Sequence, residues 1–107
     1  MKRQAVNQLL LGVALVSTIS FSTLAVAAGD AAAGKAKSMS CAGCHGADGM
    51  SFSPDIPNLK GQKEGYLVKA INDYKSGARK NPMMTSMVGS LKDQDVADLA
   101  AFYAGLK

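Results

Sequence analysis

Two cysteines and the only histidine of the chain fall within one short segment, at Cys41, Cys44 and His45. Cys-x-x-Cys-His is the attachment motif of a c-type haem, in which each thiol adds across one vinyl group and the adjacent imidazole reaches one face of the iron. The chain has no other cysteine. We therefore predict one covalently attached haem c per chain, and a fold that encloses it.

Three other uses of the motif compete with this interpretation. A structural zinc site normally needs four protein ligands, and Cys41, Cys44 and His45 are the only obvious donors. A thioredoxin-like redox pair needs a βαβ background, which the sequence pattern does not offer. A surface disulfide is the third alternative, and thioether formation would remove it because both thiols are then consumed.

The first 27 residues have the order of a secretory signal peptide. Lys2 and Arg3 precede an apolar stretch over residues 9–16, and small residues lead to an A-x-A-like end at residues 25–27. We predict cleavage after Ala27, which exports the chain to the periplasm. A membrane anchor is the alternative, since the stretch from Leu9 to Ala28 is long enough to span. Serine and threonine dilute it, so we expect no stable membrane insertion after cleavage.

The remaining residues, 28–107, form one predicted monohaem domain with a mild charge. Without Lys2 and Arg3 the domain has ten basic and eight acidic residues, a net charge of +2. That balance, without a basic helix, does not indicate nucleic-acid binding. The chain has no tryptophan, three phenylalanines and three tyrosines. Small domains usually need a staple or a cofactor, so we expect the haem to serve as the core.

The hydrophobic pattern predicts an all-α domain. We expect three main helices, over residues 30–39, 63–76 and 92–104, joined by loops over residues 46–62 and 79–91. Asp30 is the expected N-cap of the first helix, and Ser90 that of the last. The last helix should bury an apolar stripe of Val96, Leu99, Ala100 and Tyr103, with Phe102 at its margin.

The sixth coordination position of the iron has to come from a methionine, because no second histidine exists within the chain. His/Met ligation is typical of electron-transfer cytochromes. Met39 lies before the motif and Met50 lies too close behind it to pass around the ring easily. The remaining candidates are the methionines of the second loop, Met83, Met84 and Met87. Spacing alone does not choose among these three.

Several stretches of the mature chain resemble class I c-type cytochromes, in particular the bacterial c-553 type and single domains of the dihaem c-4 type. They are residues 29–35, the haem motif with residues 46–49, residues 56–62, residues 81–85 and residues 93–101. The resemblance implies the small cytochrome c fold, with long loops wrapped around one haem. It also implies that Met84 is the axial ligand opposite His45, and that the carbonyl of Pro57 accepts a hydrogen bond from the other ring nitrogen of His45.

A haem with both axial positions filled moves single electrons and has no open site for oxygen or peroxide. We therefore expect a soluble periplasmic electron carrier and not an enzyme. Its expected partners are redox proteins that it meets transiently, such as a quinol-oxidising complex, a terminal oxidase, a reductase or a dehydrogenase, and it should be a monomer. A haem subunit of a larger oxidoreductase complex is the alternative. A haem peroxidase or gas sensor is disfavoured, because the sequence offers no distal histidine.

Overall fold

The computed structural model describes residues 12–22 and 26–107, and within these ranges it contains five helices and no strand. The helices are α1 (Ala31–Lys37), α2 (Met39–His45), α3 (Glu64–Ser76), α4 (Pro82–Val88) and α5 (Asp93–Gly105). The predicted all-α class is confirmed. The three main predicted helices correspond to α1, α3 and α5, while α2 and α4 are short additions to that plan.

The first and last helices pack closely together, and glycine makes this possible. A methyl group on Gly34 of α1 would overlap the main-chain carbonyl of Asp98 in α5 and lie 2.8 Å from Cβ of Phe102. A methyl group on Gly29 would likewise overlap the carbonyl of Ala97. Both helix backbones therefore approach to a distance that no larger residue permits at these two positions. We call this contact the α1–α5 seam.

Hydrogen bonds close the seam around the side chain of Asp98, which is only 3% exposed. Its carboxylate accepts from the main-chain nitrogen of Asp30 at 2.8 Å, from Nζ of Lys37 at 2.6 Å and from Nε2 of Gln94 at 2.9 Å. Lys37 also pairs with Asp95 at 2.8 Å. A buried charge is tolerated when it is paired and hydrogen-bonded, so this network supplies what Asp98 needs. Nothing in the sequence pattern distinguishes Asp98 from a surface carboxylate, so its burial was not predicted.

The second main helix lies where its pattern predicts. α3 ends at Ser76, and Gly77 follows with φ of +83°, a conformation that glycine adopts readily at a helix C-terminus. Leu67 of α3 is buried with Leu99 and Ala100 of α5 in one hydrophobic cluster. The apolar stripe of α5 is also confirmed, and Phe102 is buried at 8% exposure rather than marginal.

The expectation of a loop throughout residues 79–91 is wrong, because α4 lies within this segment. Asn81 caps this helix by accepting from the main-chain nitrogen of Met84 at 3.1 Å, and Pro82 occupies the first turn. Proline suits that position, since its missing N–H would have no partner there and its φ is already helical. Asn-Pro therefore begins a helix here instead of interrupting a loop.

Two helix boundaries also differ from expectation. The helix expected over residues 30–39 ends at Lys37, and a separate helix begins at Met39 and carries the haem motif. Asp30 is the N-cap of α1, as predicted, and its side chain accepts from the main-chain nitrogens of Ala32 and Ala33. At α5 the predicted cap Ser90 is not used. The carboxylate of Asp95 instead accepts from the main-chain nitrogen of Lys92 at 2.9 Å.

Within the predicted leader, residues 1–27, residues 1–11 and 23–25 lie outside the described part of the chain. Residues 12–22 and 26–30 contain no helix, and the side chains of residues 12–22 are exposed. Among the residues described, no helix has the length and apolar character needed to cross a bilayer.

Candidate functional site

A cavity of about 280 Å³ lies among α2, α3, α4, α5 and the loop before α3. Its walls are mostly apolar, with residues such as Leu67, Ile71, Val88 and Leu99. One face of α3, whose apolar residues recur at helical spacing from Tyr66 to Tyr74, lines this cavity. A concave apolar site with a few polar groups is the usual form of a ligand or cofactor site.

The haem motif lies on the cavity wall because α2 carries it. Cys41 is half-buried, Cys44 is exposed, and no disulfide joins the two. Residues three and four positions apart share one helix face, so the helix presents Cys41, Cys44 and His45 to the same space. Within residues 12–22 and 26–107 no group of three or more His, Cys, Asp or Glu side chains is placed to hold a metal ion.

His45 is held in a defined orientation at the end of α2. Its side chain is 7% exposed, and its Nδ1 lies 2.8 Å from the carbonyl oxygen of Pro57. A carbonyl only accepts, so Nδ1 must carry the proton and donate it. Nε2 of the neutral imidazole then carries the free electron pair, which is available to a metal. The ring is thus prepared as an Nε2 donor.

The loop over residues 46–62 positions Pro57 by folding back on itself. Gly46 ends α2 with φ of +84°, and a methyl group there would overlap the carbonyl of Met50. The carbonyl of Gly49 accepts from the main-chain nitrogens of Leu59 at 2.7 Å and Lys60 at 3.1 Å. These contacts bring the second half of the loop back toward α2, where the Pro57 carbonyl meets the imidazole.

The methionines divide into two groups. Met39 is 77% exposed and Met50 is 43% exposed, and neither lines the cavity. The other group lies on α4 and lines the cavity: Met83, Met84 and Met87. The rejection of the first two on spacing therefore agrees with their positions.

Within α4, helix geometry separates the neighbours. Met84 lies one turn before the buried Val88 and is itself partly buried. Met83 is 66% exposed and Met87 is 45% exposed. Side chains four positions apart share a helix face, so Met84 shares the buried face of α4, while Met83 and Met87 share a more exposed one.

A single cationic side chain lies on the cavity wall among the described residues, that of Arg79. Its guanidinium lies over the ring of Tyr74, 4.8 Å from the ring centre, and its Nη1 donates to the hydroxyl of Tyr66 at 3.4 Å. Stacking on an aromatic face is a common way to hold a guanidinium. The site therefore has one organised positive charge.

Tyr103 contributes a polar atom that the sequence analysis missed, since the helical period identifies it only as a member of the apolar stripe. Its side chain is 3% exposed and lines the cavity. Within the described part of the chain, its hydroxyl is buried without a hydrogen-bond partner. Leaving a buried donor unpaired costs about 1–3 kcal/mol.

The residues on this wall fit a haem. Two thiols and an imidazole occur on one helix face, thioethers occur on another helix, and apolar side chains, a guanidinium and a phenol complete the walls. Thiols can form the covalent links, imidazole and thioether are iron donors, and apolar walls suit the macrocycle. The guanidinium suits the haem carboxylates.

Comparison with known proteins agrees with this assignment. The family profile for cytochrome c matches residues 31–107. Cytochrome c4 from Pseudomonas aeruginosa is 50% identical over 101 residues, which cover 94% of this chain and 49% of that relative. Cytochrome c-554(548) from Halomonas halodenitrificans is 48% identical over 80 residues, 72% of this chain and 96% of the relative.

A solved structure shows the same fold. The crystal structure of reduced recombinant cytochrome c4 from Pseudomonas stutzeri superposes with a TM-score of 0.71 at 44% identity, and the match covers 75% of this chain and 47% of that one. The chain thus spans about half the length of its cytochrome c4 relatives. It belongs to the cytochrome c family, with the class I fold and the covalently bound haem c that its Cys-x-x-Cys-His motif implies.

Proposed function

We propose that this chain is a soluble periplasmic electron carrier, in which Cys41 and Cys44 form the thioethers and His45 and Met84 are the axial ligands. The observation that carries the proposal is the shared cavity. It brings the motif on α2 and the methionines on α4 to one space, with the Nε2 of His45 left free by the Nδ1 bond to Pro57. When bound, the haem supplies a reversible one-electron couple.

Each protein group has a separate task in that couple. The Pro57 carbonyl fixes the tautomer of His45 and makes the imidazole a stronger donor, as hydrogen-bonded partners of metal ligands usually do. The Asn81 cap holds the N-terminus of α4 and with it Met84. The apolar walls exclude water, which favours the less charged reduced state and raises the potential. With both axial positions filled, no substrate reaches the iron.

Met84 is preferred over its neighbours because it shares the buried face of α4. Its replacement by alanine should abolish the weak far-red sulfur-to-iron charge-transfer band of the oxidised protein and lower the midpoint potential. Met83→Ala and Met87→Ala are matched controls from the same short helix, and both should retain the band. Loss of the band in a control variant and its retention in Met84→Ala would reassign the ligand.

Carbon monoxide separates the carrier from a peroxidase or gas sensor. A carrier with two protein ligands should bind it slowly and incompletely at neutral pH in the reduced state, whereas Met84→Ala should bind it readily. Rapid, complete binding by the unaltered protein would indicate an open iron site, and the carrier function would then be wrong.

The location and the partners are the remaining parts of the proposal. The order of residues 1–27 supports export, and N-terminal sequencing of the periplasmic fraction should begin at Ala28. We propose brief contacts with redox protein partners by a monomeric carrier. The net charge of +2 in residues 28–107 supports only modest electrostatic steering, so added salt should slow electron exchange only weakly.

A further inference from the structure

The hydrogen bond between His45 and Pro57 depends on where the loop over residues 46–62 holds the Pro57 carbonyl. Pro57 is exposed, and as a proline it has no main-chain N–H through which it could be anchored. Its carbonyl oxygen nevertheless lies 2.8 Å from Nδ1 of His45. The position of this carbonyl is therefore set by the residues that follow and precede it in the loop.

Asn58 follows Pro57 directly and joins it to the opposite half of the loop. Its Oδ1 accepts a hydrogen bond from the main-chain nitrogen of Ser51 at 2.7 Å. Asn58 also lines the cavity. Within the part of the chain that the structure describes, no other side chain joins residues 46–53 to residues 56–62 by a hydrogen bond. Asn58 is thus the side-chain link that lies nearest to the carbonyl.

The partner of Asn58 is itself held in place. The hydroxyl of Ser51 accepts from the main-chain nitrogen of Ser53 at 3.1 Å and approaches the Ser53 carbonyl at 3.2 Å, which closes a tight turn. A second link follows at once, because the main-chain nitrogen of Leu59 donates to the carbonyl of Gly49 at 2.7 Å. Two successive residues after the proline are therefore bound to the first half of the loop, which fixes both the position and the direction of the segment.

We propose that Asn58 is a positioning residue, whose side chain keeps the Pro57 carbonyl on Nδ1 of His45 and so maintains the donor strength of the axial imidazole. The hydrogen-bonded partner of a metal-ligating imidazole fixes its orientation and raises its basicity. A carbonyl that is free to move away makes the imidazole a weaker donor. The inference rests on His45 as the axial ligand of the proposed function and adds a residue outside that ligand set.

The test is Asn58→Ala, which removes the acceptor of the Ser51 nitrogen. Because the chain has one histidine, the Nδ1–H of ¹⁵N-labelled histidine gives a single NMR signal in the reduced holoprotein. Exchange of this proton with water should be roughly two- to tenfold faster in the variant, the effect of losing one hydrogen bond. The midpoint potential should rise, because a weaker donor stabilises oxidised iron less. A merely structural Asn58 would lower the free energy of unfolding and leave the exchange rate and the potential unchanged.

Two matched variants control this test. Asn58→Asp keeps an oxygen acceptor at the same place and should retain the slow exchange. Ser53→Ala lies in the same loop and removes a hydroxyl that accepts from the main-chain nitrogen of Asp55 at 3.3 Å, while the Asn58 bond stays intact. Its exchange rate and potential should match those of the unaltered protein. Unchanged exchange in Asn58→Ala, or equally fast exchange in Ser53→Ala, overturns the inference.

A measurement on the unaltered holoprotein covers the case in which Asn58→Ala does not fold. The amide proton of Ser51 and the Nδ1–H of His45 should both be protected from exchange, since the same opening of the loop exposes them. A freely exchanging Ser51 amide beside a protected Nδ1–H overturns the inference.

The same spectra separate this inference from the proposed function. Ring protons of His45 that bind above a haem are strongly shifted by the ring current of the macrocycle. Absence of these shifts would contradict His45 as a ligand and with it the proposed function. Their presence together with unchanged exchange in Asn58→Ala would contradict the role of Asn58 alone.

Discussion

The α1–α5 seam and the cavity beside it are built on different principles. In the seam, backbone meets backbone at Gly29 and Gly34, and the buried carboxylate of Asp98 has three donors. Around the cavity, apolar side chains of α3, α4 and α5 face a common space. The contacts of the seam are made by protein groups alone, whereas the cavity has the walls of a cofactor-binding site. We therefore expect changes in the seam to alter stability, and changes at the cavity to alter the haem's properties.

The largest effect should come from Gly34→Ala. The added methyl group overlaps the carbonyl of Asp98 and forces α1 away from α5. Overpacking of this kind costs about 1–3 kcal/mol or more, which outweighs the helical preference of alanine. Chemical denaturation of the holoprotein measures the loss.

Gly65→Ala in α3 is the matched control, since a methyl group there meets no atom within 4 Å. It should stabilise the protein by up to about 1 kcal/mol, the helical preference of alanine over glycine. Equal stability of the two variants would mean that the seam is looser than described.

The next effect concerns pH and Asp98. Its hydrogen bond from Lys37, helped by the nitrogen of Asp30 and by Gln94, lowers the pKa from 3.8 to about 2. A lowered carboxyl pKa stabilises the fold above the unfolded value, and that contribution is lost as pH falls from about 4 toward 2. Asp98→Asn should therefore lower the melting temperature at pH 7 and flatten its fall between pH 4 and pH 2. If the melting temperatures of both proteins fall in parallel between pH 4 and pH 2, the Asp98 network does not make the proposed contribution. If Asp98→Asn also changes the midpoint potential, the seam and the cavity are not independent.

A smaller effect is expected at the contact between α3 and α4. The hydroxyl of Thr85 donates to the carbonyl of Tyr74 at 3.1 Å, next to the proposed ligand Met84. Thr85→Val removes this bond at nearly constant volume and should cost about 0.5–1.5 kcal/mol. On heating, the sulfur-to-iron band should vanish earlier than in the unaltered protein, well before the helical circular dichroism signal. Simultaneous loss of both signals would indicate that the two regions unfold as one.

The smallest effect should be a change in potential without a change in stability. Arg79→Gln removes the positive charge that the guanidinium places on the cavity wall, so the oxidised state becomes relatively more favourable. Because the guanidinium is exposed, we expect a decrease of roughly 20–40 mV. Arg79→Lys should keep part of the difference, and Lys80→Gln, an exposed charge off the wall, should show none. A measurable decrease in the free energy of unfolding of Arg79→Gln would instead give Arg79 a structural role.

The main helices could be predicted because their signals are local. α3 has its apolar residues at helical spacing and a glycine at its end, and α5 has its buried stripe. α4 could not be predicted in the same way, because seven residues give little periodicity and Asn-Pro is also a common turn signal. Its stability comes from a cap and from Thr85, whose hydroxyl bonds to the carbonyl of Tyr74 in the preceding helix.

The site was predictable where chemistry is encoded in adjacent residues. The Cys-x-x-Cys-His motif by itself points to Cys41, Cys44 and His45. The family resemblance added the hydrogen bond between His45 and the Pro57 carbonyl, which the structure contains. Among the α4 methionines the family resemblance implied Met84, and the helix adds that Met84 shares a face with the buried Val88. Asp98 was missed because a single carboxylate beside an apolar stripe is normally a surface residue. The Tyr103 hydroxyl was missed because a period of hydrophobicity says nothing about a polar atom.

The central claim is that a haem fixed by two thioethers completes the cavity side of the molecule. The intact mass of the purified, denatured chain tests it most directly, since denaturation releases any haem that is not covalently held. We predict the mass of residues 28–107 plus one haem, with neither cysteine open to alkylation. A bare polypeptide that alkylates at both Cys41 and Cys44 would contradict the account.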